Sequence, residues 1–493
     1  MFSKEICERA RLARDARFDG RFFVGVKTTG IYCRPICPAV APKSENVSYY
    51  PSAAAAGEAG YRPCLRCRPE CAPGTPAWSG TSTTVRRGLR LIAGGALDEG
   101  DVERLSERLG VTSRHLRRLF AKHLGASPLA VAHTQRLHFA KRLINETQLP
   151  MSHISMAAGY RSIRRFNDTF KKTYGRAPRE LRKLGDDVMV GVDSATLSVR
   201  LPYRQPFDWN AMLGFFAARA TPGVESVTGS TYRRTISAGG EHGVIEVGPH
   251  KEPGYLSLTL RSVATGALFE IVQRLREVFD LDAPISEIAT TLKKDGSLRE
   301  LIGRNPGVRV PGAWDGFELT IRAILGQQIS VKAATTLAGR LAHRYGEKLV
   351  LSDESYETRL CRLFPSAARL RRARLRNVGL VRSRAETIRR VAAAAADGEL
   401  TFDVTQEPED FRKRMTSIRG VGDWTTQYVA MRVLKNPDAF PSSDLGLLNA
   451  LDADKGDTAP ATPAGLSRRA EAWRPWRAYA ALLLWGSLAN SGG

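Results

Sequence analysis

The 493-residue chain has no run of about 18 consecutive apolar residues, so no membrane-spanning helix is expected. Its opening segment, MFSKEICERARLARDARF, lacks an apolar core, so no secretory signal is expected and a reducing, cytoplasmic setting follows as the default. Acidic residues are in deficit: 50 Asp and Glu stand against 74 Lys and Arg, a formal net charge of +24. That imbalance predicts a polyanionic partner, and nucleic acid is the commonest. Charge alone leaves ribosome-like and membrane-surface roles open. Cysteine is nearly missing after residue 72, where only Cys361 occurs, so a disulfide-stapled fold is excluded for most of the chain. The 43% hydrophobic content is that of a globular protein, and the length suggests about three or four domains.

What is present is unevenly distributed. Residues 72–84, APGTPAWSGTSTT, read as a linker, and GDDVMVGVDS (185–194) reads as a second boundary. Between them the chain predicts short amphipathic helices rich in Arg and Leu. From 195 to about 262, TLSVRLPY, RRTIS, GVIEVG and YLSLTLRS predict strands, with a helix in DWNAMLGFFAAR. The helical period returns from about 265, and 453–465 reads as a flexible loop. The expected architecture is multidomain and mainly α with α+β parts, divided as 1–72, 85–184, 193–280 and 281–493.

Cys33-x3-Cys37 and Cys64-x2-Cys67 are two close pairs separated by 26 residues, a spacing suited to one tetrahedral Zn²⁺. By spacing alone the site is a structural clip. The flanking sequence, DGRFFVGVKTTGIYCRPICPAVAPKSENVSYY and then GYRPCLRCRPE, closely resembles the methyl-accepting domain of Ada-type adaptive-response proteins over residues 15–70. The resemblance implies that Cys33 takes a methyl group from a DNA methylphosphotriester, with Cys37, Cys64 and Cys67 as the other zinc ligands. Methylating one of four thiolates would change the site from −2 to −1 and weaken repulsion from phosphates.

LSERLGVTSRHLRRLF (105–120) and ISMAAGYRSIRRFNDTF (154–170) each read as helix, Gly turn, helix. Leu116, Leu119 and Phe120 are expected on the core face of the first, and Ile163, Phe166 and Phe170 on that of the second. Either unit alone is equally a surface helix with solvated arginines. In tandem, and followed by YGRAPRELRK, they closely resemble the AraC-type DNA-binding domain over about 86–184. That implies operator DNA as partner, with Arg114, Arg117, Arg161 and Arg164 as base readers, and RNA polymerase as a further partner.

SIRGVGDWTTQY (417–428) carries two glycines, Gly420 and Gly422, ahead of a helix, a turn suited to a DNA phosphate. Asp444, before LGLLNAL, is by itself a good helix cap. In order, FDLDAP, NPGVRVPGAWDGFELTIRAILGQQISVKAA, IRGVGDWTTQYVAMRVL, DAFPSSDLGLL and WRPWRAYAALLLW closely resemble the AlkA-type 3-methyladenine DNA glycosylases of the helix-hairpin-helix (HhH-GPD) superfamily over about 195–490. The resemblance implies a small α+β subdomain and two helical subdomains flanking a cleft. Asp444 takes the catalytic position, Phe215, Trp424, Tyr428 and Trp485 line the base pocket, and Gln327 and Gln328 join the two hairpin glycines at DNA. Each aromatic is also compatible with a core role. The hairpin position that holds a nucleophilic Lys in bifunctional relatives is Trp424, which excludes a Schiff base there. Two departures stand out: Arg419 replaces the usual Pro of the hairpin, and Gln328 stands where some members place an apolar wedge.

The expected function is therefore alkylation repair: a monofunctional glycosylase acting on damaged double-stranded DNA, fused to a one-zinc methyl acceptor and a sequence-specific regulator, in a cytoplasmic, nucleoid-associated protein. The alternative is a transcriptional regulator whose glycosylase half only binds DNA. No PCHR motif occurs, so O6-alkylguanine repair is not expected.

Overall fold

Helix Lys4–Leu12 comes first and precedes a sheet of four short strands: β1 (Phe23–Val26), β2 (Ile31–Cys33), β3 (Val47–Tyr50) and β4 (Arg62–Pro63), in sheet order β3-β1-β2-β4. The computed structural model describes residues 2–72, 83–98, 101–147, 149–182, 196–262, 265–349, 360–403, 406–454 and 462–491. The expected linker (72–84), second boundary (185–194) and loop (453–465) lie wholly or mostly outside these residues. β1 pairs antiparallel with β2 and β3, while β2 and β4 run parallel. Cys7, Phe22, Val24 and Val47 form the small core beneath.

Helices Val102–Arg108 and Ser113–Leu124 form the first helix-turn-helix, and Met151–Ala157 and Ile163–Tyr174 the second. Their ends follow local chemistry. Asp101, Thr112 and Ser162 each accept the amide three residues on, a cap contributing about 1 kcal/mol. Gly125 and Gly175 close the two recognition helices in the left-handed conformation. The 19-residue helix Pro128–Glu146 joins the two units. Leu116, Phe120, Phe166 and Phe170 are fully buried, as the apolar spacing requires. Ile163 is not: it is 45% exposed, because it is the first residue of its helix, ahead of the turn that packs. The expectation that it lies on the core face is corrected.

A five-stranded antiparallel sheet follows, from β5 (Thr196–Pro202), β6 (Glu225–Thr228), β7 (Thr231–Ala238), β8 (Glu241–Pro249) and β9 (Tyr255–Arg261), ordered β5-β9-β8-β7-β6. Burial alternates residue by residue along β9, the mark of a sheet with one packed face. The short edge strand β6 was not foreseen; ESVT carries too little apolar pattern. Helix Trp209–Ala217 packs on the inner face through Met212, Leu213 and Phe216.

The remaining helices enclose a core that includes Ile321, Ile388, Phe411, Val429 and Trp473. The protein is multidomain and mainly helical, with two small sheets among the described residues, the fold class expected. Among the described residues no helix is long and apolar enough to cross a membrane.

The modules pack against one another, and two of them share a core. One apolar cluster runs from Leu137, Phe139 and Phe170 of the helix-turn-helix module to Val199, Leu258 and Phe279 of the five-stranded module, with the Phe139 and Phe269 rings 4.7 Å apart. Arg90 donates to the Leu434 carbonyl at 2.9 Å and pairs with Glu277 at 3.3 Å. The cysteine-bearing module is held by Arg204 Nη1 to the Asp19 carbonyl at 2.9 Å, by the Arg21–Glu287 ion pair and by Tyr32 to His138 at 2.8 Å.

Candidate active site and metal centre

The parallel pairing of β2 and β4 sets the cysteine site. It lays the end of β2, Cys33, beside the residue after β4, and the Cys64 amide donates to the Tyr32 carbonyl at 2.9 Å. Tight turns then return Cys37 and Cys67: Cys37 N to Arg34 O is 3.1 Å and Arg34 N to Cys67 Sγ is 3.3 Å. The four sulfurs all lie within 4.8 Å of one another, a donor set of four thiolates that fits one tetrahedral Zn²⁺. Cys64 and Cys67 are buried, whereas Cys33 and Cys37 are partly exposed. Cys7 and Cys71 stand outside the cluster, buried, and burial pushes both thiols up to about 11. Arg34 pairs with Asp19 and donates to the Cys67 carbonyl at 3.1 Å, so a cation stands beside the site.

On the two recognition helices and the turn before the second, Arg114, Arg117, Arg161 and Arg164 are all exposed. Arg117 spends part of its charge on Glu103, 3.0 Å away and equally open to solvent.

The third site is a cleft of about 1340 Å³ in the helical half. Phe215, Trp424, Tyr428, Trp485, Asp444, Gln327, Gln328, Gly420 and Gly422 all line it. Helix Asp423–Arg432 presents Trp424 and Tyr428 one turn apart, and their rings stack with 5.3 Å between centroids and 7° between planes. Trp485, from helix Arg477–Ser491, meets Tyr428 edge-on at 6.3 Å. Phe215, from helix Trp209–Ala217, lines the cleft and also packs on the core.

Asp444 does two jobs. Its Oδ1 accepts the Leu447 amide at 3.0 Å, capping helix Leu445–Asp454. The same carboxylate accepts Trp485 Nε1 at 2.8 Å and, on Oδ2, Trp424 Nε1 at 2.7 Å. Two indoles and one amide hold a half-buried anion at the cleft.

The hairpin geometry explains one glycine by necessity. Gly420 sits at φ +96°, and a Cβ there would fall 2.0 Å from Thr387 Oγ1. Gly422 caps helix Asp423–Arg432 without a side chain and has open space around it, which leaves the helix N-terminus bare. The Arg419 side chain is exposed beside it. Gln327 is occupied internally: its amide donates to the Gly420 carbonyl at 3.2 Å and to Thr425 Oγ1 at 3.0 Å, bracing the loop against the hairpin. Gln328 is exposed at φ +57°.

Sequence reasoning missed the cations behind the aromatics. Arg432 stands four residues after Tyr428, a spacing that puts the pair on one helical face, and Arg219 stands four after Phe215, in the turn just past the end of helix Trp209–Ala217. That interval was the available signal. Arg432 lies 4.9 Å from the Phe215 ring centroid and 5.2 Å from that of Tyr428, and Arg219 lies 3.9 Å from Phe215.

A glycine hairpin, an aspartate beyond it and an aromatic cleft define the class as a helix-hairpin-helix base-excision repair protein, here joined to a four-cysteine module and a helix-turn-helix pair. Comparison with known proteins agrees module by module. Residues 6–70 match the metal binding domain of Ada, 105–184 a helix-turn-helix domain, 198–315 the AlkA N-terminal domain, and 321–475 the HhH-GPD superfamily of base excision DNA repair proteins. The probable bifunctional transcriptional activator/DNA repair enzyme AlkA of Mycobacterium tuberculosis is 40% identical over 486 residues, covering 98% of this chain and 96% of that one. DNA-3-methyladenine glycosylase 2 of Escherichia coli is 34% identical over 288 residues, 58% of this chain and 95% of its own. The solved 3-methyladenine DNA-glycosylase from Archaeoglobus fulgidus shares the fold, with a TM-score of 0.51 at 23% identity over 58% of this chain and 96% of that one. The chain belongs to the AlkA family of bifunctional transcriptional activator/DNA repair proteins, with Ada-type metal-binding and helix-turn-helix modules ahead of its glycosylase half.

Proposed function

We propose that the C-terminal half hydrolyses the N-glycosidic bond of alkylated bases such as 3-methyladenine, with Asp444 as the catalytic carboxylate. The observation that carries this reading is the Asp444 carboxylate held by two indole N–H groups at the wall of an aromatic cleft. Alkylation makes the base a cation and a good leaving group, so the demand falls on the sugar. A fixed anion stabilises the oxocarbenium-like sugar as the C1′–N bond breaks. Water adds to C1′, its proton passes to solvent, and the base leaves neutral. The base must first be flipped out of the duplex. Trp424, Tyr428, Trp485 and Phe215 then receive it by stacking, while the bare amides at Gly422 and the exposed Arg419 take backbone phosphates. With Trp424 in the hairpin and no lysine, the reaction stops at the abasic site.

The N-terminal module supplies a second chemistry. Cys33, one of the two partly exposed cysteines of the site, takes the methyl group of a DNA methylphosphotriester: an S–C bond forms, a C–O bond breaks and the phosphodiester leaves as the anion. Zinc, when bound, keeps the thiolates deprotonated at neutral pH. Arg114, Arg117, Arg161 and Arg164 read operator DNA from the two recognition helices, RNA polymerase is the further partner of an activator, and nucleoid association follows from the DNA contacts.

The deciding experiment is release of 3-methyladenine and 7-methylguanine from methylated duplex DNA by the wild type and by Asp444→Asn. A loss of at least ~10²-fold in the variant supports the glycosylase and its centre. Absence of release by folded, zinc-loaded wild type would leave a regulator whose second half only binds DNA.

A further inference from the structure

Arg432 is 4% exposed, and all of its partners are neutral. Nε donates to the Pro311 carbonyl at 2.9 Å, Nη2 to the Gly312 carbonyl at 2.8 Å and Nη1 to the Tyr428 hydroxyl at 2.6 Å. Among the described residues no carboxylate pairs with it. The pocket wall therefore contains one buried, uncompensated positive charge. A guanidinium only donates, so the phenol oxygen is the acceptor and the Tyr428 O–H is left to donate elsewhere. Among the described residues it meets no acceptor, and Tyr428 lines the cleft between Trp424 and Trp485.

We infer that Arg432 is a positioning residue for the excision reaction: it holds the Tyr428 hydroxyl as a hydrogen-bond donor to the flipped base and so sets how the pocket treats bases of different charge. The inference rests on the glycosylase reading above and deepens it.

Breaking the C1′–N bond moves an electron pair onto the base. A cationic base becomes neutral and needs no help from a donor, while its approach is opposed by Arg432. A neutral base becomes an anion, which an O–H donor backed by a buried cation stabilises directly; water adding to C1′ supplies the proton that finally neutralises it. Arg432 and Arg219 also occupy the ring faces of Phe215 and Tyr428, so the aromatic wall offers an incoming cation less than bare rings would. Arg432 should thus act on the maximal rate for neutral lesions and on apparent affinity for cationic ones. The charged groups facing Tyr428 are Arg432 on its own helix, Arg219, Arg322 and the cleft carboxylate Asp444. Burial pushes the phenol up, but Arg432 and Arg219 outweigh it and leave Tyr428 below the usual tyrosine range, a stronger donor.

The test uses full-length, zinc-loaded protein and duplexes with a single hypoxanthine (neutral) or 7-methylguanine (cationic). Arg432→Gln, Arg432→Lys, Tyr428→Phe and the Gln/Phe double variant are compared in single-turnover assays across pH. Arg432→Gln should lower the maximal rate on hypoxanthine by ~10²-fold, the scale of losing a donor at a developing charge. The same change should lower the enzyme concentration needed for half-maximal rate on 7-methylguanine. Loss of hypoxanthine release at alkaline pH should move upward in Arg432→Gln and vanish in Tyr428→Phe. Arg432→Lys should recover part of the rate, and the double variant should be no slower than Tyr428→Phe. Equal loss on both lesions with an unmoved pH profile would overturn the inference, as would additive losses in the double variant. Wild type that releases 7-methylguanine but not hypoxanthine overturns it as well; release of neither removes the glycosylase reading itself. If Arg432→Gln does not fold, the pH profile of Tyr428→Phe and the rescue by Arg432→Lys decide.

Discussion

Asp444→Asn changes two quantities of different origin. The carboxylate accepts three donors: Trp424 Nε1 at 2.7 Å, Trp485 Nε1 at 2.8 Å and the Leu447 amide at 3.0 Å. An asparagine presents one oxygen and one NH₂, so whichever way it turns, a donor faces a donor. Losing one charge-assisted bond and leaving that indole unpaired should cost ~2–3 kcal/mol of stability. The rate term is separate: removing the anion that faces the sugar should cost ~10²–10³-fold, or about 2.7–4 kcal/mol of barrier. Trp485→Phe separates the two, because it removes one donor and keeps the charge. It should destabilise by ~1.5–3 kcal/mol, the range of a charge-assisted bond, yet lose no more than ~10-fold in rate. The assay is single-turnover base release at several protein concentrations, beside thermal melting of the same preparations. An Asn variant that retains more than about a tenth of wild-type release refutes the assigned charge. A Trp485→Phe variant as slow as Asp444→Asn would mean that position, not charge, limits the reaction.

Other outcomes follow from single contacts. Gly420→Ala should weaken DNA binding and destabilise the hairpin by ~1–3 kcal/mol, from the φ of +96° and the 2.0 Å approach to Thr387 Oγ1; Thr387→Ala should recover part of the binding, as read by fluorescence anisotropy. Cys64→Ser should drop bound zinc from one per chain toward zero, while Cys7→Ser, outside the cluster, should leave it at one by metal analysis. Burial, with Arg142 and His133 adding to it, lowers His138 from 6.5 to about 4. The unfolded histidine takes up its proton first, so this contribution is whole above pH ~6.5 and is lost as pH falls toward 4, by on the order of 3 kcal/mol. His138→Gln should flatten that part of the stability profile in denaturant titrations.

Much of the chemistry was legible because it rests on residue type and order. Two cysteine pairs predict a tetrahedral thiolate set wherever the intervening loop returns, and here a parallel strand pair returns it. The four cleft aromatics and Asp444 were read by their order along the chain and converge on one cleft. What escaped was spatial. The brace from the Gln327 amide to the hairpin is a contact between residues about 90 apart that no local pattern encodes. Ile163 kept helical spacing but fell ahead of the packed turn. Arg432 read as one of many arginines in a basic chain; its interval of four from Tyr428 was the one local signal, and its place behind the cleft rings is spatial.

The apolar cluster that joins Phe139 and Phe170 to Leu258 and Phe279 bears on how the protein searches DNA. A glycosylase on a slack tether would sample any base within reach of a bound regulator. A core shared by the second recognition helix and the five-stranded module, with the Arg90 contacts to Leu434 and Glu277, limits that freedom. Occupancy of one face then dictates the rotational phase at which the other can meet the same duplex. Lesion release near an operator should rise and fall with a period of one helical turn as the lesion is moved base by base, whereas a slack tether would give a smooth decline with distance.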